Sequence, residues 1–259
     1  MNAIFLSDAH LKRSSDPGYG ALVSFLDRLK GPAQENGPIG QAYAQQKDLS
    51  ISITDLFLAG DVFDFWFSRG HRIYPEYKKI VERLAALRQA GIAIHVCEGN
   101  HDFFLKDYFA GHMGLQVYED WAVIERDGKK FLIGHGDLVD RTNIHYLRLR
   151  RMMRSRPFFH LQRLLPLSIL WGLARWSSSM SKGLMDGAED RIYEKMRQFA
   201  AERFRDGFDA VILGHCHKVQ MEETTVNGTR KVFVTLGDWL RHYSYLHYTG
   251  GEFILAKQE

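Results

Sequence analysis

Short, almost uninterrupted apolar runs alternate with amphipathic stretches along the first half of the chain. Residues 2–7, 55–59 and 92–97 are runs of this kind, and their length and their polar or glycine ends are typical of buried strands. Residues 20–30 and 74–91 instead repeat apolar side chains at helical spacing. This alternation of strand and helix predicts a layered α/β domain.

The second half of the chain adds a hairpin, a long helical segment and a return to strands. Two strand patterns that flank Asp127-Gly128 predict a hairpin with its turn at that dipeptide. A largely helical pattern then separates the hairpin from the next apolar strand. We therefore predict a core made of residues 1–139 and 207–259, with residues 140–206 inserted as a basic and apolar helical lid.

Polar side chains follow the predicted strands at the point where each strand ends. In a layered α/β fold, ligands bind at the carboxyl ends of strands. A single Asp or His at such a place is more often a cap or a turn residue, but here the pattern recurs at five strand ends, which indicates a metal site. The residues that share this position are Asp8, His10, Asp61, Asn100, His101, Asp102, His135, Asp137, His215 and His217.

The donor atoms of this set restrict the metal. Carboxylate, amide and several imidazoles without a thiolate suit Mn²⁺, Fe²⁺ or Zn²⁺. Cys216 stands between two of the histidines and is interpreted as a small turn residue, not as a ligand. Because the set is too large for one tetrahedral ion, we expect two divalent ions about 3.5–4 Å apart, with Mn²⁺ first and Fe²⁺ or Zn²⁺ as alternatives.

The order of these motifs resembles the calcineurin-like metallophosphoesterase signature. The resemblance is carried by D-x-H at 8–10, G-D at 60–61, G-N-H-D at 99–102, G-H-G-D at 134–137 and G-H-x-H at 214–217. It covers nearly the whole chain. It implies a four-layer α/β/β/α sandwich, and it implies hydrolysis of a phosphoric ester through attack by metal-bound hydroxide.

The same resemblance implies roles for individual residues. Asp61 would bridge the two ions, and Asn100 would be both a ligand and a catalytic residue. His101 would stabilise the phosphoryl charge or protonate the leaving group, with Asp102 orienting its imidazole. The implied ligands are Asp8, His10, Asp61 and His217 for one ion, and Asp61, Asn100, His135 and His215 for the other.

The predicted lid resembles one branch of that family, the bacterial UDP-2,3-diacylglucosamine pyrophosphatases of lipid A synthesis. The likeness lies in the spacing of Tyr146 and Arg150 after His135, with similar stretches at 182–187 and 234–239. It implies a lipid-linked nucleotide sugar as substrate, cleaved at its diphosphate to UMP and a lipid monophosphate. The candidate substrate-binding residues are Tyr146, Arg150, Arg154, Trp171 and Lys182.

Positive charge and apolar side chains are concentrated in the same segment. From Arg141 to Met185 the chain has nine basic residues and no acidic one, which leaves −6 for the rest of a chain whose net charge is +3. Acyl chains need apolar walls and a diphosphate needs Arg or Lys, so this composition fits a lipid-linked anion. It also predicts peripheral contact with an anionic membrane surface, and its aliphatic character disfavours nucleic acid as a partner.

No targeting or membrane-spanning pattern is present in the sequence. The first residues lack the basic and long apolar regions of a signal peptide, and Arg163, Pro166 and Arg175 interrupt the apolar stretch 157–176. Two cysteines give no disulfide framework, so we predict a cytoplasmic location, peripheral at the inner membrane. The polar, glycine- and proline-containing residues 31–50 are predicted to form a surface loop.

Two further interpretations stay open. The lipid branch commonly has Arg where this chain has His101, and it has a different run at 138–143, so another phospholipid, a nucleotide or a nucleic-acid phosphodiester is an alternative substrate. A non-catalytic scaffold of the same fold predicts gaps among the metal ligands. Every implied ligand is present, which argues against a scaffold.

Overall fold

The structure is a computed structural model, and it describes residues 1–29, 53–180 and 189–258. The predicted loop at 31–50 and the candidate residue Lys182 lie outside the described residues. The described strands form two sheets that pack face to face, and helices cover both outer faces. This arrangement confirms the predicted four-layer α/β/β/α sandwich.

The first sheet is built mainly from the apolar runs of the first half of the chain. Its first four strands along the chain run parallel, and its last two extend the sheet antiparallel beside the first strand. The strand order is β11 (Glu252–Lys257), β10 (Ser244–Thr249), β1 (Ala3–Leu6), β2 (Asp55–Ala59), β3 (Ala93–Cys97) and β4 (Gln116–Tyr118).

Two helices cover the outer face of this sheet, α1 (Pro17–Leu29) and α2 (Lys78–Gln89). Their apolar residues recur at helical spacing, as the sequence predicts, and they share one buried cluster with the outer side chains of β1, β2 and β3. Helix α2 ends at Gln89, and just beyond its C-cap Gly91 takes a positive φ that glycine adopts without steric cost. Both helices thus follow directly from the sequence pattern.

The second sheet has a parallel centre between two antiparallel edges. Its strand order is β5 (Trp121–Arg126), β6 (Lys129–Gly134), β7 (Ala210–Leu213), β9 (Thr229–Leu236) and β8 (Val219–Val226). The predicted hairpin is confirmed: Asp127 and Gly128 turn between β5 and β6 with φ of 55° and 68°, the pair of positive angles that a tight hairpin turn needs. Side chains such as Phe57, Phe131 and Val234 fill the space between the two sheets.

Three helices follow β6 and lie outside the two sheets, α3 (Ile144–Met153), α4 (Arg156–Gln162) and α5 (Leu167–Met180). The side chains of Asn143 and Ser155 cap the first two, because each accepts a hydrogen bond from a backbone N–H in the first turn. Helix α6 (Glu189–Arg205) also lies within the range 140–206 that the sequence marks as an insertion. It packs its apolar face on the second sheet and forms the fourth layer of the core.

Strands β4 and β8 carry too little apolar signal to be found in the sequence. β4 has three residues, and β8 is an edge strand whose side chains are nearly all exposed or half-buried. Edge strands bury few side chains, so they need no apolar run. Both are held by backbone pairing with an apolar neighbour, β3 and β9 respectively.

Candidate metal centre

The predicted ligands come together where the parallel strands of both sheets end. Asp8 and His10 follow β1, Asp61 follows β2, and His135 follows β6. Since β1 and β2 are neighbours in one sheet and β6 and β7 in the other, their carboxyl ends meet across the sandwich. The remaining members of the cluster are Asn100 after β3, and His215 and His217 after β7.

Asp8 and Asp61 share one group of imidazoles. The Nε2 atom of His10 lies 3.7 Å from Asp8 Oδ1 and 3.8 Å from Asp61 Oδ2. The Nε2 atom of His217 lies 3.6 Å from the same Asp8 oxygen. These separations are too long for hydrogen bonds, but an ion that binds its ligands at about 2.0–2.2 Å holds the ligand atoms this far apart.

Asp61 also belongs to a second group. Its Oδ2 atom lies 3.3 Å from His135 Nε2, which in turn lies 2.8 Å from Asn100 Oδ1 and 3.1 Å from His215 Nδ1. The carboxylate of Asp61 therefore stands between the two groups, the position that a bridging ligand occupies.

Two buried atoms test whether this cluster fits a cation. Asp8 Oδ1 and His10 Nε2 are buried, and neither has a hydrogen-bond partner among the described residues. An unpartnered buried polar atom is costly, and a divalent ion would satisfy both of these at once. The donors are carboxylate, amide and imidazole with no thiolate, which fits Mn²⁺, Fe²⁺ or Zn²⁺.

Burial and mutual charge shift the titration of these groups. Burial alone would raise the pKa of Asp61, but the imidazoles of His135 and His101 lower it well below its ordinary value. Although burial opposes it, the nearby Asp61 raises the pKa of His135 to about 10. Burial and the charge of His135 lower the pKa of His215 to about 4, so that ring is a neutral donor at neutral pH. A cation that binds His135 therefore competes with a proton.

Asp102 supports the loop that carries Asp61. Its carboxylate accepts hydrogen bonds from the backbone N–H groups of Asp61, Phe63 and Gly99 at 2.9–3.0 Å. Burial, and then the charge of Asp61, raise the pKa of Asp102 to about 8. The sequence predicts that Asp102 orients the His101 imidazole, but the structure places the backbone carbonyl of Asp64 at that ring, 3.3 Å from Nδ1.

His101 stands beside the cluster. Its ring packs edge-on against that of His10, with the ring centroids 4.9 Å apart, and its backbone N–H donates to Asp61 Oδ1 at 2.8 Å. The backbone of His101 thus helps to position Asp61, while its imidazole faces the same space as the two groups of ligands. His101 therefore lies within reach of a group bound at the centre.

Asp238 is a residue of the site that the sequence analysis does not assign. Its Oδ2 atom lies 3.3 Å from His217 Nδ1 and 3.1 Å from His242 Nδ1, and its Oδ1 atom accepts from backbone N–H groups of the following turn. Burial would raise the pKa of Asp238, but the hydrogen bond with His217 and those with the turn lower it. A signal exists in the sequence, because Asp238 also follows the end of an apolar strand.

Three of the candidate substrate-binding residues lie on α3 or at its end and contact buried carboxylates of the core. Tyr146 Oη donates to Asp137 Oδ2 at 2.5 Å, and Arg150 Nε donates to the same oxygen at 2.8 Å. Arg154 Nη1 donates to Glu98 Oε2 at 2.6 Å. The structure thus brings all three close to the loops that carry the candidate metal ligands.

The fourth described candidate, Trp171, lies on α5 at a different part of the core. Its indole Nε1 donates to the backbone carbonyl of Phe67 at 3.2 Å, and its ring packs against Tyr74 with the centroids 5.5 Å apart. Leu167 and Leu170 are buried on the same face of α5. Trp171 therefore anchors α5 to the aromatic cluster that follows β2 in the chain, in which Tyr74 packs against Phe65 and Tyr77.

Two pockets border the α3–α5 segment. One, of about 490 Å³, lies beside the metal cluster and is lined by His215, Asp137, Tyr146 and Lys195 among others. The other, of about 340 Å³, lies under α4 and α5, and its walls combine aromatic and aliphatic side chains such as Phe67, Phe159 and Leu170 with the charged side chains of Arg69, Asp107 and Arg163.

The outward face of this segment is apolar. Of the eleven large apolar side chains that are exposed in the described chain, eight lie between residues 144 and 173. Within the described ranges, no helix has the length and apolar character needed to cross a membrane. The exposed apolar residues of the segment are Ile144, Leu149, Met152, Leu161, Leu164, Leu165, Ile169 and Leu173.

Comparison with known proteins gives consistent similarities. The sequence profile of the family described as calcineurin-like phosphoesterase matches residues 1–219. The UDP-2,3-diacylglucosamine hydrolase of Aeromonas salmonicida is 30% identical, with 97% of this chain and 91% of that protein aligned. The protein of the same name from Pseudomonas putida strain F1 is 30% identical, with 92% and 91% aligned. A solved phosphoesterase from E. coli aligns along all of both chains with a TM-score of 0.44 and 13% identity.

Proposed function

The chain belongs to the calcineurin-like phosphoesterase family and is therefore a metal-dependent phosphoric ester hydrolase. We propose that its substrate is UDP-2,3-diacylglucosamine or a close lipid-linked analogue. The products are UMP and the lipid monophosphate. One observation carries this proposal: the likeness to relatives of that name runs along 97% of the chain, so it includes the α3–α5 segment and not only the metal motifs.

The metal ligands are the two groups around Asp61. Asp8, His10, Asp61 and His217 would hold one divalent ion, and Asp61, Asn100, His135 and His215 would hold the other, with Mn²⁺ as the first choice and Fe²⁺ or Zn²⁺ as alternatives. When bound, such a pair supplies an activated water and stabilises negative charge on the attacked and leaving oxygens. The spacing of the donor atoms and the unpartnered buried atoms of Asp8 and His10 support this assignment.

His101 is the proposed general acid or charge-stabilising residue. The carbonyl of Asp64 accepts a hydrogen bond from Nδ1 of this ring, which fixes the ring plane and leaves Nε2 for the substrate. A protonated ring donates from both nitrogens, so it can give its Nε2 proton to the leaving lipid phosphate without releasing Asp64.

We assign the two pockets to the two halves of the proposed substrate. The larger pocket adjoins His215, and Asn143, Tyr146 and Lys195 supply polar groups on its otherwise mainly apolar walls, which suits the orientation of a nucleotide. The smaller pocket offers aromatic and aliphatic side chains to an acyl chain and the guanidinium groups of Arg69 and Arg163 to a phosphate. Tyr146, which lines the larger pocket, keeps its predicted role in substrate binding, as do Trp171 and Lys182.

The exposed apolar face of α3–α5 is the proposed contact with the inner membrane. It combines leucines and isoleucines with exposed arginines such as Arg151, Arg156 and Arg175, the composition of segments that lie on an anionic bilayer. A lid that rests on the bilayer can take an acylated substrate without passing it through water. The proposed location is therefore cytoplasmic and peripheral.

Hydrolysis in ¹⁸O-labelled water tests the reaction and the point of attack together. Purified full-length protein loaded with Mn²⁺ is incubated with UDP-2,3-diacylglucosamine, and the products are separated by liquid chromatography and mass spectrometry. We expect UMP that carries the label and a lipid monophosphate that does not, because water attacks the α-phosphorus. Asp61→Asn is the inactive control, since it removes the shared ligand.

A different substrate preference would overturn the proposed function. If the lipid nucleotide stays intact while bis(p-nitrophenyl) phosphate is cleaved, the chain is a phosphoesterase for another substrate. Single-stranded RNA and a glycerophospholipid, assayed in the same way, then identify the class. If neither metal binding nor any hydrolysis is observed, the fold serves as a scaffold.

A further inference from the structure

Helix α3 presents one stripe of polar side chains to the core. Tyr146, Arg150 and Arg154 are spaced four residues apart, so they lie on the same face of the helix and of its C-terminal cap. Tyr146 and Arg150 share one oxygen of Asp137, and Arg154 contacts Glu98 and donates to the backbone carbonyl of Gly99 at 2.6 Å. We call these three residues the α3 stripe.

Both acceptor carboxylates lie within two residues of a candidate metal ligand. Asp137 follows His135 by two positions, and Glu98 precedes Asn100 by two. The two ligands touch each other, with His135 Nε2 at 2.8 Å from Asn100 Oδ1. One helix therefore braces, from outside, the two loops whose ligands meet.

Glu98 links three pieces of the chain. Its Oε2 atom accepts from Arg154, and its Oε1 atom accepts from the backbone N–H of Leu105 at 2.8 Å, which closes the loop that carries Asn100. Arg154 adds a hydrogen bond to the carbonyl of Glu119 at 3.0 Å, beyond the end of β4. The guanidinium thus ties the loop after β3 to the segment between β4 and β5.

The charges of Arg150 and Arg154 are already neutralised by the protein. Their side chains are 13% and 12% exposed, and those of Asp137 and Glu98 are 3% and 4% exposed. A buried ion pair that loses one partner leaves an uncompensated charge, so these arginines do not swing out to bind a phosphate at low cost. Arg148, on the opposite face of α3, is exposed.

From these contacts we propose that the α3 stripe positions metal ligands: it holds the loops of Asn100 and His135, so that docking of α3 sets the affinity of the metal centre. Arg154 is the principal positioning residue because it makes contacts with three backbone or side-chain acceptors. This inference goes beyond the lipid substrate and holds for any phosphoester that the centre hydrolyses. The sequence prediction, in which Arg154 binds the substrate, is the competing role.

The test compares Arg154→Met with Arg148→Met in the full-length chain. Both variants remove one positive charge from the same helical segment, but only the first breaks the contact with Glu98. Mn²⁺ affinity is measured by isothermal titration calorimetry, and kcat and KM are measured with bis(p-nitrophenyl) phosphate, which is too small to need the lid. We expect Arg154→Met to bind Mn²⁺ about 10-fold or more weakly and to lose a similar factor in kcat, as supporting residues of metal ligands do. Arg148→Met should match the unaltered protein, and Arg154→Lys should recover part of the loss.

The two roles of Arg154 give opposite results. If Arg154→Met keeps its Mn²⁺ affinity and its kcat on the aryl diester, the positioning role is overturned, and a higher KM for the lipid nucleotide would then identify Arg154 as a substrate contact. If Arg154→Met does not fold by circular dichroism, Glu98→Gln tests the same contact from the loop with an isosteric change. If Arg154→Met does fold, the double variant Glu98→Gln with Arg154→Met should lose less Mn²⁺ affinity than the two single losses combined, and full additivity would also overturn the role. Since neither readout uses the lipid, failure of the lipid proposal leaves this test intact.

Discussion

At the scale of single residues, the metal cluster depends on an uncommon backbone conformation. Asp8, His10, Asp61, His215 and His217 all have positive φ, between 41° and 67°. A residue with a side chain pays of order 1–3 kcal/mol for this region and keeps it only where the surroundings enforce it. The sharp turn after each strand folds the chain back at once, so that two ligands separated by one residue, such as His215 and His217, can reach different groups of the cluster.

Asp238→Asn is predicted to weaken the centre without unfolding the turn. Asn keeps an oxygen for the backbone N–H groups of Leu240 and Arg241, but its NH₂ would face His217 Nδ1 and favour a proton on Nε2, the atom that points at Asp8. We expect Mn²⁺ affinity and kcat to fall about 10-fold to 100-fold. Calorimetry and steady-state kinetics measure both.

The matched control for this change is Asp206→Asn. Asp206 lies after α6 and makes an exposed ion pair with Arg203 at 3.0 Å. It precedes β7, whereas the metal ligands of this strand, His215 and His217, follow it. It should leave Mn²⁺ binding unchanged. Equal Mn²⁺ affinity in both variants would show that Asp238 does not orient His217.

Gly99→Ala is predicted to displace Asp61. A Cβ at residue 99 would stand 2.0 Å from Asp61 Oδ1 and 2.4 Å from its backbone nitrogen, and the backbone cannot yield. We expect metal content after dialysis and kcat to fall by at least about 100-fold, because the shared ligand moves. Metal analysis by mass spectrometry and an aryl diester assay check this outcome.

Gly172→Ala is the control for the same chemical change. A Cβ there meets nothing within 4 Å, and the residue lies inside α5, where Ala is favoured over Gly by about 0.5–1 kcal/mol. This variant should unfold at slightly higher denaturant and keep its metals. The prediction for Gly99 is wrong if the two variants hold metal equally well.

At the scale of elements, α5 divides its apolar residues between two environments. Leu167 and Leu170 are buried and Trp171 packs against Tyr74, whereas Ile169 and Leu173 are exposed. Arg69 adds a hydrogen bond from its guanidinium to the carbonyl of Leu165 at 2.8 Å, just before the helix. The helix is therefore docked by one face and free on the other.

Leu170→Ala should destabilise the chain, and Leu173→Ala should not. Removing a buried leucine costs about 2–5 kcal/mol, while an exposed one costs less than about 0.5 kcal/mol. The free energy of unfolding in urea, measured with tryptophan fluorescence, separates the two. If both variants unfold at the same urea concentration, α5 is not docked as its burial indicates.

Most helices and strands of the core could be predicted from the sequence, but some could not. α1 and α2 and the strands β1, β2, β3, β6, β7 and β9 have the apolar pattern of their final environment, so they are predictable. β8 has no such pattern, because its position is set by backbone pairing to β9 at the edge of the sheet. α6 has a helical pattern, but only packing shows that it belongs to the second sheet and not to the lid.

At the scale of the whole molecule, α3 connects the metal centre with the basic, apolar surface. Arg150 and Arg154 on its inner face contact Asp137 and Glu98 beside the candidate ligands, and its outer face belongs to the exposed apolar segment. The proposed membrane contact predicts that Leu164→Glu with Ile169→Glu abolishes binding to vesicles of phosphatidylglycerol and phosphatidylethanolamine. Two exposed apolar contacts are lost and two negative charges are placed at an anionic surface, each worth about 1 kcal/mol there. Hydrolysis of the soluble aryl diester should not change.

Val123→Glu is the control, because Val123 is an exposed apolar residue on β5, outside the lid. It should sediment with the vesicles as the unaltered chain does, and binding of both should weaken as salt is raised. Retention of vesicle binding by the double lid variant would contradict the membrane contact.

The sequence by itself determined the candidate metal ligands. The local apolar pattern shows which residues end the strands, and their residue types show which donor atoms they bring and how many ions these suit. It also placed apolar and basic residues together in one segment. Only the tertiary structure decided which carboxylates support those residues. Asp102 bonds to backbone amides and not to the ring of His101, Asp238 supports His217, and Asp137 and Glu98 receive the arginines of α3. The contacts Asp102–Asp61, Asp238–His217, Asp137–Arg150 and Glu98–Arg154 join residues that are 13 to 56 positions apart in the chain. They depend on how the sheets and helices pack, which no local pattern records.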